Sequence, residues 1–323
     1  MVINAGDSSA QRDIHWPSVL LHINLNVLGI IFLPFILDAS LLTIAFGFCL
    51  VFLSVLGLTA GAHRLWAHHA YEANTGLRIF LMLCHTLAGQ GSIHDCVVQH
   101  RVHHKHFGTD DDPFNINRGF WHSHLLAHVL MKSPRDKQLA AQIDTQDLEN
   151  DAVVAFQRKF YWLLMPIVCF LLPINAPMEY WGDSMFSATC VVGILRFVIT
   201  HHIAQLIHSA IHIWGLKPDD KYPADTMLVF ILTKSHWLKY HHIIPWDYKV
   251  GEFGSYGDGI ITKCIQIFAA VGWAWNLRTV STDTLKEAVY ASTKTGKPVE
   301  ECVRDITKTS QTNNAHYQST KFL

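Results

Sequence analysis

The stretch His100 to Pro113 reads His-Arg-Val-His-His-Lys-His-Phe-Gly-Thr-Asp-Asp-Asp-Pro and sets His100, His103, His104 and His106 close together. On a helix, positions i, i+3 and i+4 share a face, so His100, His103 and His104 can aim three imidazoles at one point. Imidazole is the commonest side-chain metal ligand. The pattern recurs along the chain. His63 and His68 bracket His-Arg-Leu-Trp-Ala-His, His212 sits in Ser-Ala-Ile-His-Ile-Trp-Gly, and His241 and His242 precede Ile-Ile-Pro-Trp-Asp-Tyr-Lys. Each piece alone has a plain alternative: interface histidines, a solvated basic helix or a structurally satisfied ring. Together they form a donor set of eight imidazoles without a thiolate. That set suits iron better than structural zinc, which usually brings cysteine. Two iron ions sharing it could activate O₂ and take hydrogen from an unactivated C–H bond, chemistry that side chains alone do not supply. His22, His85, His122, His124, His128 and His316 read as structural or surface residues, and His69 and His106 extend their clusters without a helical partner. Asp110, Asp111 and Asp112 read either as carboxylate ligands or, more simply, as partners of nearby basic groups.

The elements that must hold these residues are apolar. Val19 to Leu37 and Leu41 to Leu58 are each long enough at 1.5 Å per residue to cross about 30 Å of hydrocarbon. Phe160 to Leu172, closing at Pro173, begins a third run, and Ser184 to Ile207 is a fourth that flows into His208 and His212. Residues 38–40 read as a tight turn and residues 176–183 as a turn with aromatic interface residues. Leu77 to Leu87 is too short to span and reads as a re-entrant or membrane-surface helix. Ile260 to Trp275 reads as an amphipathic helix, and the segment after Thr279 as a charged helix followed by a disordered polar tail. The fold class is therefore all-α: four transmembrane helices with a cytosolic helical cap around a histidine-rich dimetal site. The two short connections carry no Lys or Arg, so both termini and every histidine cluster are expected on the cytosolic side.

Composition agrees and excludes several classes. Half of the 323 residues are hydrophobic, 16% are charged, and the net charge is −1, which gives no basic field for nucleic acid. The seven cysteines are scattered without a C-x-x-C pair, so neither a disulfide frame nor a zinc ribbon is expected. Residues 1–10 are polar and do not read as a cleavable signal peptide.

With those motifs in view, the chain resembles a known family. His63-Arg-Leu-Trp-Ala-His68, His100-Arg-Val-His-His104-Lys, Thr109-Asp-Asp-Asp-Pro113, Asn117-Arg-Gly-Phe120, Ser209-Ala-Ile-His-Ile-Trp-Gly215 and Pro245-Trp-Asp-Tyr-Lys249 are similar, in order, to motifs of animal acyl-CoA desaturases of the stearoyl-CoA (Δ9) type. Glu252-Phe-Gly254 and Leu277-Arg-Thr-Val-Ser281 resemble the family's C-terminal pieces, so the likeness runs from about Trp16 to about Val289. The resemblance implies a multi-pass endoplasmic reticulum membrane protein that binds two iron ions. It implies electrons from NADH through cytochrome b5 and its reductase, and a cis double bond placed in a long-chain acyl-CoA. It implies that His63, His68, His100, His103, His104, His212, His241 and His242 hold the irons. The expected organisation is an N-terminal cytosolic segment (1–18), a first transmembrane hairpin (19–58) and a cap with the first two histidine boxes (59–159). A second hairpin (160–207), the C-terminal part of the desaturase domain (208–290) and a polar tail (291–323) complete it.

The departures matter as well. Aligned on Tyr240, His241 and His242, the family's third box places a ligand histidine where this chain has Leu238. His236 lies about 200° away on a helix, whereas His208 stands where the family has an asparagine near the metal, which makes His208 the candidate ninth ligand. At the family's CoA contacts this chain reads Ser18, Gly91, Val98, Gln99, Met131 and Lys132, and Lys132 alone keeps the family residue. Val and Met for arginines remove charge-assisted phosphate contacts. Two rivals follow: a desaturase or hydroxylase of a non-CoA lipid such as a sphingolipid, and a catalytically impaired desaturase-like lipid-binding membrane protein.

Overall fold

The structure, a computed structural model, describes residues 13–213, 241–242, 244–251, 257, 259–297 and 301–306. Leu238 and His236 lie outside the described residues, as does the Ser/Thr/Asn/Gln tail beyond residue 306. The chain divides into two compact units. One comprises residues 1–67 and 75–213, the other residues 68–74 and 214–323. Among the described residues the regular elements are helical apart from a two-stranded ribbon and an isolated bridge pair.

The first unit holds four helices long and apolar enough to cross a membrane: α1 (Trp16–Asp38), α2 (Leu41–Ala67), α7 (Ala152–Trp181) and α8, whose apolar stretch is Met185–Ser209. Their outer faces carry bare apolar side chains, such as Ile30, Leu37, Leu41 and Trp162, as lipid contact requires. The two short connections meet at one end. Asp183 accepts hydrogen bonds from the Ser40 amide at 3.0 Å and from the Thr43 hydroxyl, and the Trp181 indole donates to Thr43 at 2.8 Å. The polar segments that follow α2 and α8 therefore start from the opposite end of the hairpins.

Shorter helices complete the frame, among them α3 (Thr75–Ala88), α4 (Ile93–His106), a turn α5 (His122–Leu126, continued by Ala127–Val129) and α6 (Pro134–Ala141). The four-residue spacing of Leu77, Leu81 and His85 gives α3 one buried face, while Ile79, Phe80 and Leu83 stay exposed. Gly57 lets α2 approach α3 closely, because a Cβ there would lie 2.1 Å from the His85 backbone nitrogen. The buried Arg196 of α8 donates to the Leu87 carbonyl at 2.9 Å and to the Cys169 carbonyl, tying α3, α7 and α8 together.

Two sequence expectations are corrected. The third span continues through Pro173 and Pro177 to Trp181 instead of turning after Leu172, and it ends at Gly182, with φ 70°. Wider π-type turns at Pro166–Leu171 accommodate the proline-rich run that a regular helical ladder would resist. In the second unit, helix α9 (Ile260–Ala270) stops before Gly272, with φ 78°. Ala274–Trp275 then pairs antiparallel with Glu72–Ala73 instead of extending the helix. The core of this unit packs Ile244, Val250, Val280, Leu285 and Ala288, the last two from helix α10 (Thr282–Thr295).

Candidate metal centre

In the first unit the chain winds into wide turns at Gly57–Ala67, which carry His63. Such turns are frequent at functional positions in helices. Helix α4 starts at Ser92, whose hydroxyl accepts from the Asp95 amide at 3.1 Å, and the Ile93 amide is held by Gln157 at 2.9 Å. Its helical spacing then delivers His100, His103 and His104 to one region. The His63 and His100 ring centroids are 4.6 Å apart, those of His100 and His104 4.6 Å, and those of His103 and His104 5.7 Å. Arg101, on the same helix, forks onto Asp147 at 2.6 and 2.9 Å and reaches the Trp66 carbonyl at 2.8 Å, which fixes the end of α2 against α4.

His103 and Asp112 are both buried and lie 2.7 Å apart, Nδ1 to Oδ1. A carboxylate oxygen can only accept, so His103 donates from Nδ1, and Nε2 is the nitrogen left to meet a metal. This pairing is the usual outer arrangement around a metal-binding imidazole. Asp112 also accepts from the Phe114 and Gly108 amides. Its neighbours serve basic groups, with Asp111 paired to Arg135 and Asp110 to Arg118. Burial first, and then the neighbouring imidazoles of His103 and His63, hold His104 well below the ordinary imidazole range. His208 stacks on Phe114 at 3.7 Å, with its ring centroid 5.9 Å from His100 and 5.6 Å from His103.

In the second unit the His68 and His241 rings meet at 4.8 Å, and His242 lies 5.7 Å from His241. His68 leads into the ribbon, where the Ala70 carbonyl accepts from the Arg278 amide at 2.9 Å and Glu72 accepts from Trp275 and Asn276. Each group offers ring nitrogens close enough for one metal: those of His63 and His100 lie within 4.8 Å of each other, as do those of His68 and His241. The last turn of α8 (Arg196–Ile213) includes His212, whose side chain lies outside the described set. The donor chemistry fits a redox metal, with imidazoles only and an Asp112-oriented tautomer.

Two cavities lie along α4, the smaller of them lined by histidines of the first group. One, of about 140 Å³, is lined by His63, His100, His208, Gln90, Gln205 and His128 among others. The other, of about 550 Å³, gathers Val98, Gln99, Met131 and Lys132, the positions compared above with CoA contacts. Its charged lining is balanced, with Lys132, Lys137 and Arg158 against Asp95, Asp136 and Glu149.

A further set of polar residues includes His22, His124 and His128, read above as structural or surface residues. His22 and Asn26 of α1, His124 of α5, and His201, His202 and Gln205 of α8 form linked contacts inside the first unit, with His128 of α5 nearby. His124 and His202 are joined at 3.2 Å and His202 and Asn26 at 3.0 Å. Burial, reinforced by the neighbouring histidines, pushes His124 and His128 down to about 4. The available signal was the four-residue spacing of His22 and Asn26, His124 and His128, and His201 and Gln205.

No family model matches the chain. Among curated proteins it is 42% identical over 284 residues to the acyl-CoA Delta-9 desaturase of Acheta domesticus, covering 86% of this chain and 79% of that protein. It is 39% identical to the acyl-CoA Delta12-desaturase of the same organism, over 78% of this chain and 71% of the relative. It is also 39% identical to the acyl-CoA Delta(11) desaturase of Spodoptera littoralis, over 76% and 73%.

Proposed function

The chain belongs to the acyl-CoA desaturase family, and from that premise we propose that this oxidoreductase places a cis double bond in a long-chain acyl group carried on coenzyme A. The observation that carries the proposal is the histidine group on α2 and α4, with His103 oriented by Asp112, beside the smaller cavity. The proposed ligands of two irons are His63, His68, His100, His103, His104, His212, His241 and His242, with His208 as a ninth donor.

Bound iron would supply the oxidising power for C–H cleavage. Overall, –CH₂–CH₂– and O₂, with two electrons and two protons, become –CH=CH– and two waters. The electrons are proposed to come from NADH through cytochrome b5 and its reductase. The protein's own part is positional. Asp112 keeps the His103 proton on Nδ1, Arg101 holds α4 to α2, and the walls of the smaller cavity fix which methylenes face the imidazoles. The proposed setting is the endoplasmic reticulum membrane with both termini cytosolic, and the segment boundaries are those expected from the sequence.

The test is expression in a desaturase-deficient yeast strain with analysis of total fatty acids. A new double bond with the native chain, lost in His100→Ala, is expected; an unchanged lipid profile at normal expression would sink the proposal. The balanced lining of the larger cavity favours a second reading, a desaturase or hydroxylase of a non-CoA lipid. A polyphosphate head group prefers a basic lining. Intact-lipid analysis of the same cells separates the two by where the new double bond first appears, in acyl-CoA or in a membrane lipid.

A further inference from the structure

The smaller cavity is lined by more polar groups than a hydrocarbon chain needs. Gln205, 1% exposed, sits on its wall with His63, His100 and His208. The hydrogen bonds around Gln205 leave little freedom of assignment. The His22 Nδ1 faces the Ser18 carbonyl at 2.7 Å, so it donates. Gln90 donates its amide to the Ala88 carbonyl at 3.0 Å, which leaves its oxygen to accept from the His201 Nδ1 at 3.2 Å. In that tautomer each ring offers a lone pair at Nε2. Both lone pairs meet the Gln205 amide nitrogen, at 3.0 Å from His22 and 2.9 Å from His201. The nitrogen is thus fixed on the histidine side. The Gln205 carbonyl oxygen is left over, buried and without a hydrogen-bond partner among the described residues. The buried Nε2 of His128, a second lining residue, has none either.

A saturated alkyl segment leaves both atoms desolvated and unpaired, which is unfavourable. A hydroxyl both donates and accepts. Its one proton satisfies the Gln205 oxygen while its lone pairs accept from the Nε2–H tautomer of His128, whereas an ether or keto oxygen can satisfy only a donor. We propose that the acyl chain taken by this protein carries a hydroxyl next to the reacting methylenes, recognised by Gln205 and His128. This rests on the desaturase reading above and narrows its substrate class to hydroxylated long-chain acyl groups. The reaction keeps its balance: two hydrogens leave adjacent carbons, the carbinol is untouched, and the product is an unsaturated alcohol.

The experiment uses membranes of yeast expressing the full chain. They receive a saturated long-chain acyl-CoA and its isomers bearing one hydroxyl at successive mid-chain carbons, alone and in competition. At least about tenfold higher kcat/KM is expected for one or two neighbouring hydroxyl positions. Gln205→Leu and, independently, His128→Phe are each expected to collapse that ratio toward one. A native protein that desaturates the plain chain as well as every hydroxylated isomer overturns the inference and leaves the desaturase reading standing; water then satisfies the two atoms. Loss of turnover on all substrates by the native protein overturns the desaturase reading and the inference with it. If both variants express and keep the hydroxyl preference, the assignment to these residues is wrong.

Discussion

Asp112→Asn separates a ligand-orienting role from a merely structural one. In the native chain Oδ1 of Asp112 accepts from His103 at 2.7 Å and from the Phe114 amide at 2.9 Å, while Oδ2 accepts from the Gly108 amide at 3.2 Å. Asparagine has one oxygen. If that oxygen takes the Oδ1 place, the new amide faces the Gly108 N–H and that bond is lost. The two bonds that survive lose their charge assistance, which roughly halves them. Both Asp112 and His103 are nearly inaccessible, so solvent does little to cushion the change. The loss in stability should be about 2–3 kcal/mol. A metal bound through His103 should also be held about 10–100-fold more weakly. The assay is thermal unfolding in detergent, with and without a competing chelator, alongside iron retained per chain across a chelator titration. The expected result is a lower melting point and easier iron loss, with a smaller gap between metal-loaded and stripped protein than in the native chain. Equal melting and equal iron retention would refute the orienting role. A drop that is the same with and without metal would reduce Asp112 to a cap of the loop at residues 108–114.

Gly57→Ala should destabilise the fold by about 3 kcal/mol or more, because the added carbon meets the α3 backbone at 2.1 Å, and melting temperature in detergent reads this directly. His85 is fully buried and burial lowers it from 6.5 to about 4. Its contribution to stability is therefore intact above pH 6.5 and falls, by up to about 3 kcal/mol, as the pH drops through that interval toward 4, because the unfolded chain takes up a proton that the native chain does not. His85→Gln should flatten the melting-temperature profile between those values; an unchanged slope would show that other groups set it. His208→Ala should weaken iron binding by about tenfold or more, and native-like iron retention would remove His208 from the ligand set.

The local parts of the site were legible because helical geometry is local. The spacing of His100, His103 and His104 predicts a shared face, and α4 delivers their rings within 4.6 to 5.8 Å of one another. Span lengths were legible for the same reason, since hydrocarbon thickness translates into a count of apolar residues. The course of the third span was not, because Pro173 and Pro177 read as breakers while wide turns and tertiary packing carry the helix past them. The strand at Ala274–Trp275 exists only because Glu72–Ala73 lies beside it, a pairing two hundred residues away in sequence. The Gln205 cluster was missed for that reason too. Its partners His22 and Gln90 come from distant elements, and within α8 a glutamine in an apolar run reads only as an isolated polar residue.

The central claim is that the histidines hold a redox dimetal centre, and iron content tests it most directly. The full chain, purified in mild detergent from iron-replete cells, should carry close to two irons per chain by elemental analysis, and His100→Ala should carry far less. A folded native chain holding one iron or none, or a His100→Ala chain holding as much iron as the native one, would contradict it.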